Sequence, residues 1–232
     1  VNIREAHREV WTRKLVPSMQ APDQQSPPNR VAWTVELLPK LRGATLADIG
    51  TGSGSMLARA ASLGYEASGI DFDGPLVEWL RGQGYPVDCV DASSDRFPWG
   101  DSSIDVVTCC DVIEHLIDPF HALAEARRIL KPGGWCFVTT ANYSHWKLVF
   151  DLIAGSHRGT SDDHTLLDGG HVSYWGAEDL GNLLERCGFG DVAVHYRNVH
   201  KCPDDIAAIV MRWAKNREWI DCGYQIAVGR QG

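Results

Sequence analysis

The chain has 232 residues, more than one typical domain of about 150 residues but short of two, so one large domain with an insertion is expected. Hydrophobic residues make up 44% and charged residues 22%, close to the globular average, which excludes a fibrous or wholly disordered chain. A formal charge of −8 leaves no broad basic face for a phosphate backbone, so duplex DNA is not an expected partner. No apolar run approaches the roughly 20 residues of a membrane span, and the start, Val1 to Val16, mixes charges with apolar residues, so the chain reads as cytoplasmic and off the membrane. Seven cysteines without a Cys-x-x-Cys pair suggest neither a disulfide framework nor a zinc ribbon; they are expected to be reduced and mostly buried.

Residues 1–16 carry a weak helical pattern, and 17–28 hold four prolines, which break helices and predict a wrapping loop. Val31, Val35, Leu38 and Leu41 then predict one buried helix face over 29–41. From Leu46 short apolar runs alternate with helical stretches, the pattern of a parallel sheet covered by helices. Strands are expected at 45–49, 66–71, 86–90, 104–109 and 134–140, with helices at 54–63, 75–82 and 117–130 between them. The last of these helices should stop at Lys131-Pro132-Gly133-Gly134. Residues 142–175 are rich in His, Asp, Gly and aromatics and lack a clean period, so they read as an insertion folded over the strand ends. A helix at 176–187, a strand at 191–197, a helix from Pro203 to Ile220 that could cover the site or pair two subunits, and a strand at 223–229 complete the chain. The division is 1–44 as an N-terminal cap, 45–141 as a core, 142–175 as a lid and 176–232 as the remainder of the sheet.

Asp48-Ile49-Gly50-Thr51-Gly52-Ser53-Gly54 closes the first strand and opens a helix. Glycines there let the backbone turn sharply and let a ligand approach main-chain amides at a helix N-terminus. Asp71, seventeen residues past Gly54 and followed by Phe72, ends the second strand where a carboxylate can accept both hydroxyls of a ribose. Asp91 and Ala92 follow the third strand. The spacing is G-x-G-x-G rather than the G-x-G-x-x-G of dinucleotide folds, and Asp48 ahead of it would serve an ammonium better than a pyrophosphate. A nicotinamide oxidoreductase is disfavoured on both counts.

These elements, with Phe97-Pro98-Trp99, Ile104-Asp105-Val106-Val107, Asp111-Val112-Ile113-Glu114-His115 and Leu130-Lys131-Pro132-Gly133-Gly134, resemble the class I S-adenosylmethionine-dependent methyltransferases. The resemblance implies an α/β, Rossmann-like, doubly wound seven-stranded sheet with an antiparallel last strand, an N-terminal helical cap and a lid. It implies S-adenosylmethionine as cofactor, with Gly50 to Gly54 facing its methionine part, Asp71 on the ribose and Asp91 near the adenine, beside Ala92 and Asp111. Arg30 looks like the arginine that some small-molecule members place on the cofactor carboxylate.

Methyl transfer is an in-line displacement, and a hydroxyl acceptor must also lose a proton, so a base or a metal should lie near the methyl group. Asp111, Glu114 and His115 follow the fourth strand at its carboxyl end, where open α/β sheets bind ligands. The cluster is similar to the E-x-x-E-H metal cluster of ubiquinone-biosynthesis and small-RNA 2′-O-methyltransferases, which add a downstream histidine placed like His171. A divalent metal on Asp111, Glu114, His115 and His171 is one expectation; catalysis or positioning by His115 without metal is a second, with His145 and His171 as further catalytic candidates, and a purely structural Glu-His pair is the third. Tyr143, Trp146, His157, His164, Tyr174 and Trp175 are further lid candidates. The expected function is methyl transfer to a small-molecule acceptor, most simply a hydroxyl oxygen. The rivals are metal-assisted 2′-type methylation of an RNA end or sugar, and a cofactor-binding module without catalysis.

Overall fold

Helix α1 (Arg30–Leu37) ends one turn earlier than its apolar spacing predicts. The cause is local: Leu38 precedes Pro39, whose ring disfavours the helical conformation of the residue before it. Leu38 still packs into the core, but Leu41 is left exposed. In this computed structural model residues 30–153, 171–199, 201–211 and 216–232 are described. The expected helix over 1–16, the loop over 17–28, and His157, His164 and Trp213 lie outside those residues.

Strands β1 (Thr45–Ile49), β2 (Glu66–Asp71), β3 (Val87–Cys89), β4 (Ile104–Cys110) and β5 (Leu130–Ala141) alternate with helices α2 (Ser55–Ser62), α3 (Gly74–Gly82) and α4 (Pro119–Ile129). Helix α3 starts where the Asp73 side chain accepts the Leu76 N–H at 3.1 Å, and α4 where Asp118 accepts the His121 N–H at 3.0 Å, each followed by a proline in the first turn. Strand β5 begins at Leu130 rather than after the Pro-Gly-Gly turn. Leu130 pairs with Ile104, the register then shifts, and Trp135 pairs with Val106, so residues 131–134 form an irregularity within the strand.

Helix α5 (Trp146–Ile153) follows β5, and α6 (Asp179–Arg186) leads to β6 (Phe189–Val199). The single helix expected over 203–220 is two, α7 (Asp204–Val210) and α8 (Arg217–Asp221), because the Asn216 side chain caps a new helix by accepting the Glu218 N–H at 2.9 Å. Strand β7 (Cys222–Gln231) then enters between β5 and β6, antiparallel to both, giving the order β3-β2-β1-β4-β5-β7-β6. The sheet is thus seven-stranded and doubly wound, with an antiparallel last strand.

One core face packs α4 and α6 on the sheet through Leu123, Ala126, Leu180 and Leu184; the other packs α1 and α2 through Leu38, Met56 and Ala60. Strands buried on both faces read as near-continuous apolar runs, which is why β1 and β4 were legible. None of the seven cysteines is in a disulfide, and four of them, Cys109, Cys136, Cys202 and Cys222, are buried. No helix among the described residues is long and apolar enough to cross a membrane. The strand order reverses between β1 and β4, and the crevice at such a switch point is where open α/β sheets bind ligands.

Candidate active site

The loop after β1 turns on glycines with left-handed backbone, φ +70° at Gly50, +52° at Gly52 and +81° at Gly54. Two of them are also required by packing. A Cβ on Gly50 would lie 2.3 Å from Val112 Cγ2, and one on Gly54 2.9 Å from Leu80 Cδ2. Gly52 differs: a Cβ there meets nothing within 4 Å, so its backbone borders open space. The loop is tied to β2 by the Gly50 and Thr51 N–H groups, which donate to the Ile70 carbonyl at 2.9 and 3.1 Å. Ser53 lies beside Ser55, their hydroxyls 3.0 Å apart.

Asp71 is buried at the end of β2, accepting the Gly52 N–H at 2.9 Å on one oxygen and the Asp73 N–H at 3.1 Å on the other. Burial raises its pKa above the usual carboxylate range, against those two bonds. Two amide bonds leave acceptor capacity on both oxygens. The Val90 N–H donates to the Asp71 carbonyl at 2.9 Å, and the Cys89 thiol reaches the Phe72 carbonyl, which draws Asp91 and the buried Ala92 to the same strand edge. Asp91 caps its own turn by accepting the Ser93 N–H at 2.9 Å.

Asp48 lies beneath the glycine loop, 2% exposed, and accepts the Thr108 hydroxyl of β4 at 2.7 Å. Burial pushes its carboxyl up to about 7, only partly offset by that hydrogen bond.

After β4 the chain turns at Asp111, whose φ of +56° is rare for a residue with a side chain, and whose N–H donates to Thr139 on β5. The Asp111 carboxylate is held on both oxygens: the Tyr224 hydroxyl donates to one at 2.5 Å, where the Thr139 hydroxyl also approaches at 3.5 Å, and Arg30 forms an ion pair with the other at 2.8 Å. The Arg30 guanidinium also lies 4.7 Å over the Tyr224 ring. Burial opposes the charge of Arg30, but Asp111, Tyr224 and Glu114 together overcome it and raise the pKa of the guanidinium.

A 3-10 turn over Ile113–His115 presents the next two candidates. The Glu114 carbonyl accepts the N–H groups of Val172 and Ser173 at 2.8 and 3.2 Å, which stitches the end of the lid to this turn. That pairing brings His171 onto His115, their ring centroids 4.7 Å apart. One ligand atom from each of Glu114, His115 and His171 then lies within 4.8 Å of the other two. Asp111 is not in this group, since Arg30 and Tyr224 hold its carboxylate. His145 is not in it either, being buried at the head of α5 against Trp146.

The donor set of one carboxylate and two imidazoles suits a divalent transition ion better than Mg²⁺. Glu114 Oε2 is buried with no hydrogen-bond partner among the described residues, an oxygen that a cation would satisfy. Burial, reinforced by the nearby Asp111 carboxylate, pushes the Glu114 carboxyl well above its usual range. The residues therefore fit a metal, although only three of the four expected ligands converge.

Sequence patterns gave no signal for Tyr224, which sits on the last strand 113 positions from the aspartate it touches. Thr108 was equally unmarked; the β1–β4 register sets it directly beside Asp48, so both side chains share one face of the sheet.

Solved structures with the same fold include phosphoethanolamine N-methyltransferase 2 of Haemonchus contortus in complex with S-adenosyl-L-methionine, at a TM-score of 0.60 and 16% identity over 88% of this chain and 52% of that one. The fold is thus that of the S-adenosylmethionine-dependent methyltransferases. A family described as a methyltransferase domain matches residues 27–194, and the chain belongs to that family. It is similar to the ubiquinone biosynthesis O-methyltransferase of Pseudomonas paraeruginosa, 30% identical over 73% of this chain and 76% of the relative. The same-named protein of Thiobacillus denitrificans is 30% identical over 58% of this chain and 62% of its own length, so this chain spans less than two thirds of that relative.

Proposed function

We propose that the protein transfers the methyl group of S-adenosylmethionine to a hydroxyl oxygen of a small molecule. The observation that carries this reading is the convergence, at one switch point, of an open-sided glycine loop with the Glu114, His115 and His171 group. The names of the similar O-methyltransferases support the hydroxyl acceptor.

In this reading Gly52 leaves room for the methionine part, Asp48 faces its ammonium, and Asp71 accepts the ribose hydroxyls, with Phe72, Asp91 and Ala92 beside the adenine. Arg30 serves the cofactor indirectly, by holding Asp111. Glu114, His115 and His171 would hold a divalent ion, which when bound lowers the pKa of an acceptor hydroxyl. The side chains themselves orient the acceptor toward the methyl group, where alignment supplies much of the rate.

Calorimetry with S-adenosylmethionine and with NADH tests the assignment. Binding of the sulfonium compound alone is expected; binding of NADH alone overturns it. A second measurement follows from Asp48. At a pH below about 7 its carboxyl is largely protonated in the free protein, and an arriving ammonium favours the ionised form. Binding should therefore release close to one proton, read as a binding enthalpy that changes with the ionisation enthalpy of the buffer. In Asp48→Asn that dependence should disappear.

A further inference from the structure

We infer that Tyr143 is a positioning residue that fixes the tautomer and orientation of His171. Resting on the metal reading above, the inference concerns a side chain to which that reading gives no role. The Tyr143 oxygen lies 2.8 Å from His171 Nδ1. Its own placement is firm at both ends. The residue follows the end of β5 by two positions, its N–H donates to the Trp175 carbonyl at 3.1 Å, and its ring meets Tyr174 edge to face at 4.8 Å. The partner of that bond, His171, is placed by the pairing of the next two residues, Val172 and Ser173, with the Glu114 carbonyl. Backbone pairing sets where the imidazole sits but not which nitrogen carries the proton.

An imidazole gives a metal a lone pair from one nitrogen, and the other nitrogen must then carry the proton and donate it. With Nδ1 facing Tyr143, the binding-competent tautomer has Nδ1–H donating to the Tyr143 oxygen, which leaves the Nε2 lone pair as the one His171 offers to an ion shared with Glu114 and His115. The Tyr143 hydroxyl proton points away from the ring in this state. Free imidazole side chains favour the opposite tautomer, so loss of the acceptor oxygen lets the ring both flip its proton and rotate. Outer partners of this kind typically set metal affinity by about 10–100-fold.

The experiment is calorimetric titration of the full chain with Zn²⁺, alongside S-adenosylmethionine titration and thermal unfolding of each variant. Tyr143→Phe should weaken Zn²⁺ binding by about 10–100-fold while cofactor affinity and Tm stay at wild-type values. His171→Ala should lose more. Wild-type Zn²⁺ affinity in Tyr143→Phe, with loss in His171→Ala, overturns the role of Tyr143 and leaves the metal reading standing. Absence of Zn²⁺ binding by the wild-type protein overturns both. A second measurement needs no variant: in the Zn²⁺-loaded protein, ¹⁵N shifts of His171 should show the proton on Nδ1 and the metal on Nε2. The reverse assignment overturns the inference.

Discussion

Replacing His171 by alanine is expected to lower kcat by about 10²–10⁴, the range that a positioned acid–base or metal-held proton transfer contributes, with the affinity for S-adenosylmethionine unchanged. The split follows from where the side chain sits. His171 meets His115, which follows β4, whereas Asp48, Gly52 and Asp71 are carried by β1, β2 and the loop after β1. A loss confined to kcat marks an interaction made in the transition state. Exhaustive chelation should produce the same fall, reversed by a transition ion more fully than by Mg²⁺. Full activity after chelation would reject the metal and leave His115 or His171 as a metal-free base. A matching loss of cofactor affinity in His171→Ala would instead give this residue a structural role.

The second large effect is on stability. Gly50→Ala combines a backbone at φ +70° with a new methyl 2.3 Å from Val112 Cγ2. The left-handed conformation costs about 1–2 kcal/mol for an L-residue and overpacking typically another 1–3. Together they predict a loss of about 2–5 kcal/mol, a fall in Tm of roughly 10 °C for a chain of this size. Gly52→Ala is the control: it has the same handedness, at φ +52°, but open space around the new methyl. Its Tm should fall by a few degrees at most, whereas its affinity for cofactor should drop because the methyl projects where a ligand would lie. Equal Tm losses in the two variants would contradict this separation of packing from binding.

These contrasts also mark what the sequence could show. The parallel strands were legible because β1 and β4 are short, largely apolar runs bounded by Gly, Asp and Ser, and β2 lies between helical stretches and ends at Asp71. Gly50 to Gly54 and Asp71 were legible because a strand-to-helix turn at a helix N-terminus needs those residue types. The end of α1 at Leu37 was readable in principle from Leu38-Pro39, but the apolar spacing through Leu41 outweighed it. The foursome of Asp111, Glu114, His115 and His171 was drawn from spacing, and spacing is blind to competition. Arg30 and Tyr224 take up Asp111, and they come from opposite ends of the described chain. Tyr143 was visible as a lid aromatic, but its pairing with His171 spans 28 positions and has no periodic signature.

The insertion of β7 between β5 and β6 has a consequence for the order of events in the growing chain. Strand β6 leaves the ribosome before β7, yet it has no place beside β5 and must leave a strand-wide gap until β7 arrives. Until then β5 keeps an open edge, the kind of edge that invites pairing with other chains. Tyr224 arrives in that same segment, so the aspartate it steadies gains that partner only after β6 has been made. A nascent chain stalled before residue 222 would therefore carry a finished glycine loop beside an Asp111 without its tyrosine.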